Sequence, residues 1–416
     1  MTCIGIRAED KNRWERRAPL TPDHVTELVH QHAVEVRVQP SARRAFSDLD
    51  YERAGATLSL DLEPCDVVLG VKEIPAAKLA SGKTYLYFSH VIKGQASSMP
   101  MLQRLMEIES TLLDYERITD ARGRRLIFFG RHAGYAGMID TLWALGRRLA
   151  WEGFPTPFEE MRLAHQYSTL DEAMRHVATV GNEIRRNGLP AGLRPVVFAF
   201  TGSGNVSRGA QEVFDRLPFD DVDAADLVRF SEDRDRARNV VFRTVLDREQ
   251  RTRVAPMLPH ITVFVNGIYW EPGQPKVITR EHLRDLWRDE KQPKLRVIGD
   301  ITCDVEGSVE ATVRTTDPGD PVYVFDPRSG EARAGVAGAG PVVMAVDNLP
   351  CELPVEASQH FGDTLLRFVP ALARCDWSQP LEALRLPEEL RRAILVHRGA
   401  LTPAYRYLEQ FVSATR

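Results

Sequence analysis

The stretch PVVFAFTGSGNVSRGAQ, residues 195–211, constrains the fold more than any other segment. PVVFAF is a short apolar run rich in valine and phenylalanine, as a strand covered on both faces requires. It passes directly into Thr201-Gly202-Ser203-Gly204, and the residues that follow, with Gly209 and Ala210, carry an amphipathic helical pattern. Strand, glycine turn and helix in that order form a cradle for a dinucleotide pyrophosphate. Glycine lets the backbone approach the phosphates, and the helix N-terminus offers unpaired N–H groups and the positive end of its dipole. The spacing is GxGxxxxG rather than GxGxxG, so the context and not the glycine pattern carries the nucleotide-binding reading; the competing reading is a structural glycine turn. An acid for the ribose 2′-hydroxyl is expected about twenty positions past the first glycine. Asp220, Asp221, Asp223 and Asp226 all fall there.

The rest of the chain supplies the strands such a sheet needs. CIGIR (3–7), VEVRVQP (34–40), CDVVLGVK (65–72), YLYFSH (85–90), TLLDYE (111–116) and LIFFG (126–130) read as strands of a first α/β unit. A helix beginning at TPDHVTELV separates the first two, with Thr21 as N-cap and Pro22 where its missing N–H is harmless. HAGYAGMIDTLWALGRRLAWEG (132–153) reads as a long helix crossing between two domains, its small residues Ala133, Gly134, Ala136 and Gly137 allowing close backbone approach. TLDEAMRHVATVGNEIRRNG (169–188) reads as a helix ended by Gly188 and Pro190. After PVVFAF, the runs ITVFVNG (261–267), LRVIGDI (295–301), PVYVF (321–325) and VVMAVD (342–347) continue a second α/β unit. The segments 353–373 and 387–400 read as helices, with no strand after them, that pack back onto the first unit and make it discontinuous. The charge-rich RFSEDRDRARN (229–239) reads as a solvated excursion.

Composition narrows the function. Lys and Arg number 54 against 58 Asp and Glu, a formal net charge of −4, and there is no long basic run. That excludes the electrostatic footprint of a nucleic-acid or anionic-membrane binder. No apolar run approaches twenty residues. MTCIGIRAED has no signal-peptide pattern, so a cytoplasmic location is expected. Five cysteines without CxxC spacing argue against a disulfide framework and against zinc, so no metal is expected.

In the first unit, polar residues gather at strand C-termini: Lys72 ends LGVK, His90 ends YFSH, and Asp114 and Glu116 close TLLDYE. Open α/β sheets bind ligands at that edge. A lysine and a histidine converging there make an acid/base pair, one of them desolvated or set beside another cation so that it titrates near neutrality. Arg17, in WERRAPLTP, is either part of a solvated cluster with Arg13 and Arg16 or a bidentate clamp on a substrate carboxylate. Asp300 and Asp304, in GDITCDVEGS, are either loop-capping acids or partners for an ammonium substrate.

WERRAPLTP, GVKEIP, FSHVIKGQ, DYE, FFGRHAGYAGM, FTGSGNVSRGAQ, VNGIYWE, DITCDVEGS and VDNLPCELPVEAS, in this order, resemble the lysine-2-oxoglutarate reductase half of α-aminoadipic semialdehyde synthase. The likeness extends more distantly to fungal saccharopine dehydrogenase and then to alanine dehydrogenase and the transhydrogenase nucleotide-binding subunit. It implies an α/β fold of two Rossmann-like doubly wound domains with a cleft between them. Residues 1–133 plus about 352–416 would form the substrate domain, completed by C-terminal helices, and about 134–351 the dinucleotide-binding domain. The implied reaction joins L-lysine and 2-oxoglutarate as an imine and reduces it to saccharopine, with NADP as cofactor and NAD as alternative. By motif, Lys72 and His90 are the acid/base pair. Arg17 and Lys93 are substrate-carboxylate contacts, and Arg125 and Asp304 further contacts. Gly202, Ser203, Gly204, Asn205, Val206, Asp223 and Asp347 hold the cofactor. Glu73 after Lys72 resembles the fungal enzyme, which keeps open the lysine-forming, NAD-dependent alternative and a related amino-acid or opine dehydrogenase. The sequence ends at Arg416 without the glutamate-forming half of the fused enzyme, so that step is expected of a separate polypeptide.

Overall fold

The computed structural model describes residues 3–231, 238–288 and 293–413. It divides into two compact units, Met1–Phe129 with Pro354–Arg416, and Gly130–Leu353. Residues 232–237 of the charge-rich segment lie outside the described residues.

The first unit opens with six strands: β1 (Cys3–Ile6), β2 (Glu35–Val38), β3 (Thr57–Leu58), β4 (Val67–Lys72), β5 (Thr84–Phe88) and β6 (Thr111–Asp114). They lie in the order β6-β5-β4-β1-β2-β3, every pair parallel. Helices α1 (Pro22–His32), α2 (Asp48–Arg53) and α3 (Met99–Glu107) are its longer crossovers, and α1 starts at Thr21-Pro22 as the sequence implies. The winding reverses between β1 and β4, and in such sheets the crevice for ligands opens at the strand C-termini beside that reversal. LIFFG is not a strand. Only Arg125 bridges Thr119, and the segment then runs into the next helix.

The second unit holds helices α4 (Gly130–Trp151), α5 (Leu170–Asn187), α6 (Asn205–Phe214), α7 (Leu227–Ser231) and α8 (Arg248–Thr252). Its strands are β7 (Val197–Thr201), β8 (Phe219–Asp221), β9 (Val241–Leu246), β10 (Val263–Asn266), β11 (Val297–Asp300), β12 (Val322–Phe325), β13 (Ala332–Ala334) and β14 (Val342–Met344). Their order is β13-β12-β14-β11-β10-β7-β9-β8, parallel except where β12 joins β14 and β13. Alternate residues of β7 enter cores on opposite faces, Phe198 and Phe200 on one, Val197 and Ala199 on the other. That explains why its sequence is apolar throughout. The small residues of α4 serve its packing on α6: a Cβ at Gly134 would lie 2.1 Å from the Val206 carbonyl oxygen, and one at Gly209 2.2 Å from that of Arg131.

The C-terminal return of the first unit differs from the sequence reading. Within 387–400 only Glu388–Arg392 is helical; β15 (Ile394–His397) and β16 (Ala400–Leu401) follow as strands. β15 adds antiparallel to β6 and extends the sheet to eight strands. A four-residue apolar run has no period by which to tell strand from helix, and here the open edge of β6 decides.

Candidate active site

Lys72 is the last residue of β4 and is half-buried. Its backbone N–H donates to Oε2 of Glu9 at 3.1 Å, and that of Val71 to Oε1 at 2.7 Å. Glu9 follows β1, so one buried carboxylate ties the ends of β1 and β4 together where the winding reverses. Burial pushes the Glu9 carboxyl up to about 7, against the pull of Arg7 and with the repulsion of Glu15.

His90 leaves β5 through Ser89, whose N–H donates to Oδ2 of Asp114 at 3.1 Å and whose hydroxyl donates to the same oxygen. Asp114 ends β6 with no exposed surface, and burial raises its carboxyl to about 6. His90 has φ +55°, the left-handed region that a side chain bearing a Cβ seldom enters. Its ring lies 6.4 Å from that of Phe88, tilted by 15°. Burial lowers the His90 pKa, the positive charge of Lys72 lowers it further, and Glu73 and Glu116 act against both. The product is a neutral imidazole in the field of an ammonium.

Arg17 is not part of a solvated cluster. It is 2% exposed, donates to both oxygens of Glu15 at 2.8 and 2.6 Å, and lies over the ring of Phe129 at 4.3 Å. Phe129 stands 5.9 Å from Phe88, the ring beside His90, and stacks on Phe361 at 4.7 Å. One aromatic cluster therefore supports both Arg17 and His90. Arg125 is exposed and pairs with Glu116 at 2.9 Å, the same carboxylate whose field reaches His90. Lys93 lies on the exposed turn beyond His90, and Gly94 after it is packed so closely on Phe411 that a Cβ would come within 2.5 Å of that ring. Lys72, His90, Arg17 and Arg125 are thus connected at one sheet edge, and Lys93 is outside that set of contacts. A cavity of about 720 Å³ in the same unit, lined by Arg7, Asp10, Gln39, Lys78 and Tyr85, includes none of Lys72, His90, Arg17, Arg125 and Lys93 and meets the site only through Glu9, which holds the Lys72 backbone. Glu9 was not legible from sequence, because in RAED it looks like one charge of a solvated run.

In the second unit, β7 ends at Thr201 and the glycine turn leads into α6. Gly202 has φ +85°, and a Cβ there would sit 2.9 Å from the Gly267 carbonyl oxygen, so glycine is required twice over. Gly204 is the N-cap of α6 and brings no side chain to it; a Cβ there would meet nothing within 4 Å. An open, uncapped helix start beside exposed Ser203 and Asn205 and half-buried Val206 fits a diphosphate. A buried network fixes this edge: the Thr201 hydroxyl donates to Oδ1 of Asn266 at 2.9 Å, and Nδ2 of Asn266 reaches Asp300, Thr302 and Ser308, each at 2.8 Å. Burial raises the Asp300 pKa. The segment VNGIYWE stood out in the sequence, yet no pattern marked Asn266 as the residue joining β7, β10 and β11. Asp304 and Asp347 are exposed near the same edge, and with Asp300 they join burial in raising the Cys303 thiol. Asp223 lies elsewhere. It follows the edge strand β8, with β9 between it and β7, and its Oδ1 accepts the Ala225 N–H at 2.8 Å.

Among the described residues no group of His, Cys, Asp or Glu side chains could hold a metal ion, and no helix is long and apolar enough to cross a membrane.

Residues 5–136 match the model of the alanine dehydrogenase/PNT N-terminal domain and residues 248–404 that of the alanine dehydrogenase/PNT C-terminal domain. The chain is 36% identical to mitochondrial alpha-aminoadipic semialdehyde synthase of Rattus norvegicus over 98% of its own length and 47% of that protein's, so it spans about half of that relative. It is 28% identical to saccharopine dehydrogenase [NAD(+), L-lysine-forming] of Neurospora crassa, covering 88% of this chain and 90% of that one. An L-alanine dehydrogenase structure shares the fold over 100% of both chains, with TM-score 0.61 at 18% identity. The two domain matches follow in chain order and together take in about two thirds of the sequence: the chain belongs to the alanine dehydrogenase/PNT family.

Proposed function

We propose that the chain is a saccharopine-forming lysine-2-oxoglutarate reductase. It condenses the ε-amine of L-lysine with the carbonyl of 2-oxoglutarate and reduces the imine, reversibly. The observation that carries this is a neutral imidazole, His90, in the field of the Lys72 ammonium at the winding reversal of the first sheet. Forming an imine demands a base for the incoming ammonium and an acid for the departing water, and these two groups offer one of each near neutral pH. His90 accepts the proton as the amine attacks, and Lys72 donates to the carbinolamine oxygen and offsets charge on it.

The substrates bring three carboxylates between them. Arg17, buried on Phe129 and paired with Glu15, would clamp one by exchanging that partner, and Lys93 and Arg125 at the exposed rim of the same unit would take the others; Asp304, which the resemblance offers for the ammonium, lies in the unit Gly130–Leu353. In this reading the unit Met1–Phe129 with Pro354–Arg416 carries substrate and proton chemistry, and Gly130–Leu353 binds the nucleotide. Gly202, Ser203, Gly204, Asn205 and Val206 would hold the diphosphate, with Asp347 nearby, and the bound nicotinamide supplies the hydride. The reductase likeness implies NADPH as donor. The second reading, an NAD-dependent enzyme acting in the lysine-forming direction, is supported by the likeness to the Neurospora crassa enzyme across nine-tenths of its length.

The test is loss of the nicotinamide absorbance when purified protein meets L-lysine and 2-oxoglutarate, with NADPH and NADH in parallel. Oxidation that requires both substrates is expected. A protein that binds nucleotide yet oxidises neither donor would overturn the assignment and leave another amino-acid or opine dehydrogenase.

A further inference from the structure

We infer that Asp247 is the residue that reads the adenosine ribose, and that its carboxylate selects a free 2′-hydroxyl over a 2′-phosphate. This rests on the nucleotide-binding reading of the glycine turn and reverses the donor order that resemblance alone implies.

In a doubly wound sheet the ribose acid stands at the C-terminal end of the strand beside the first. In most such sheets that neighbour is also the next strand in sequence, which is why an interval of about twenty residues finds it. Here it is not. The order is β7-β9-β8: the next strand in sequence has been displaced to the sheet edge, and β9 pairs with β7 instead. The parallel register runs from Val197↔Phe242 to Thr201↔Leu246, so both strands end at the same level. Gly202 and Asp247 are the next residues of each, just past the last paired residues, where the strands run about 5 Å apart. β8 pairs only with the first half of β9, ending at Asp221↔Arg243. Asp223, beyond it, is on a strand two spacings, about 10 Å, from β7.

The local chemistry suits the role. Asp247 is exposed at the rim, and a reciprocal pair of bonds orients it: its Oδ1 accepts the Gln250 N–H at 2.8 Å, and its own N–H donates to Oε1 of Gln250 at 2.9 Å. A carboxylate has acceptor capacity beyond one cap bond, enough for a ribose hydroxyl, and it repels a phosphate. Two arginines bear on the opposite outcome. Arg243 lies lower on β9 and is committed to Asp221 and Asp215, each at 2.7 Å. Arg248 follows Asp247 on the exposed start of α8 and is the cation nearest in sequence for a 2′-phosphate, so NADPH is weakened rather than excluded.

The test is equilibrium binding of NADH and of NADPH to the full chain, without substrates, by calorimetry or nucleotide fluorescence. Asp247→Ser and Asp247→Asn are the variants, because both residues still cap a helix. Wild type is expected to bind NADH about tenfold or more tighter than NADPH, the scale of one hydrogen bond to a charged group. Both variants should lose that preference, with NADH weakened and NADPH strengthened. An unchanged ratio in both variants, or a ratio moved by Asp223→Ser and not by Asp247→Ser, overturns the proposal. If folded wild type binds neither nucleotide, the reading of the glycine turn itself fails, a result distinct from binding without discrimination.

Discussion

Asp114 holds Ser89 twice, through the backbone N–H and through the hydroxyl, and the residue thus anchored is the one before His90. The left-handed backbone at His90 is kept by this anchor, since an isolated residue in that conformation costs about 1–2 kcal/mol. Asp114→Asn puts an amide where a carboxyl accepts three donors, both of Ser89's on Oδ2 and the Glu116 N–H on Oδ1 at 2.8 Å, so its NH2 group must face a donor on one side. We expect turnover to fall about tenfold or more, the loss of one charged hydrogen bond's worth of positioning. Nucleotide affinity should hold, because Asp114 belongs to the first unit. Unchanged turnover in a folded variant would mean that His90 keeps its place without the anchor.

Lys72→Met and His90→Gln address the chemistry itself. Each should lower kcat by about 10²–10⁴, the usual worth of a positioned acid or base, while NADH and NADPH affinities stay within about twofold. Steady-state rates together with direct nucleotide titration separate the two effects. Collapse of nucleotide binding in either variant would put these side chains in the wrong role.

Most of the fold was readable because parallel strands covered on both faces leave near-continuous apolar runs, as in PVVFAF and VVLG, separated by helical periods. What escaped had physical reasons. β9 carries Arg243 mid-strand and follows a highly charged segment, so VFRTVL does not stand out as a sheet-centre strand, though it lies directly beside β7. LIFFG has the composition of a strand, but its Phe129 is spent on the aromatic cluster with Phe88 and Phe361, and its Phe128 packs edge-on to His360. At the candidate site, side chains at strand ends were legible by type and position. The carboxylates that hold the backbone beneath them were not, since Glu9 accepts main-chain N–H groups across 62 positions of sequence and no local pattern encodes that partner.

The His90 imidazole gives a direct measure of its surroundings. Burial lowers its pKa from the ordinary histidine value of about 6.5 first and the Lys72 charge second, so Lys72→Met should raise it. In wild type the acidic limb of kcat/KM should likewise fall below that value. Titration of the ring proton by NMR in both proteins reads the shift, and an identical pKa in the two would show that the ammonium does not act on the imidazole.

Gly209→Ala tests the close approach of α4 and α6. Its new methyl would stand 2.2 Å from the Arg131 carbonyl oxygen, which cannot retreat without moving the start of α4. A loss of about 1–3 kcal/mol is expected, as for other overpacked interiors, read as a lower urea midpoint for the second unit. An unchanged midpoint would mean that the helices separate freely.

Glu9 links the site to pH. Its carboxyl, pushed up to about 7, keeps a proton in the folded chain that the unfolded chain releases near 4.3. A group shifted in this direction contributes stability that is complete below the unfolded pKa and is lost as pH rises through the folded one. Glu9→Gln has no such proton, so the stability of wild type relative to this variant should decline between about pH 4.5 and pH 8. The other raised carboxyls, such as Asp114, titrate in both proteins and cancel from the comparison. Urea midpoints at a series of pH values supply the difference. The declining curve would also mean that the ionised form strains the ends of β1 and β4, and so that Lys72 sits on a backbone whose hold changes near neutral pH. A flat difference would instead show Glu9 ionised throughout, with Arg7 at 3.5 Å outweighing its burial.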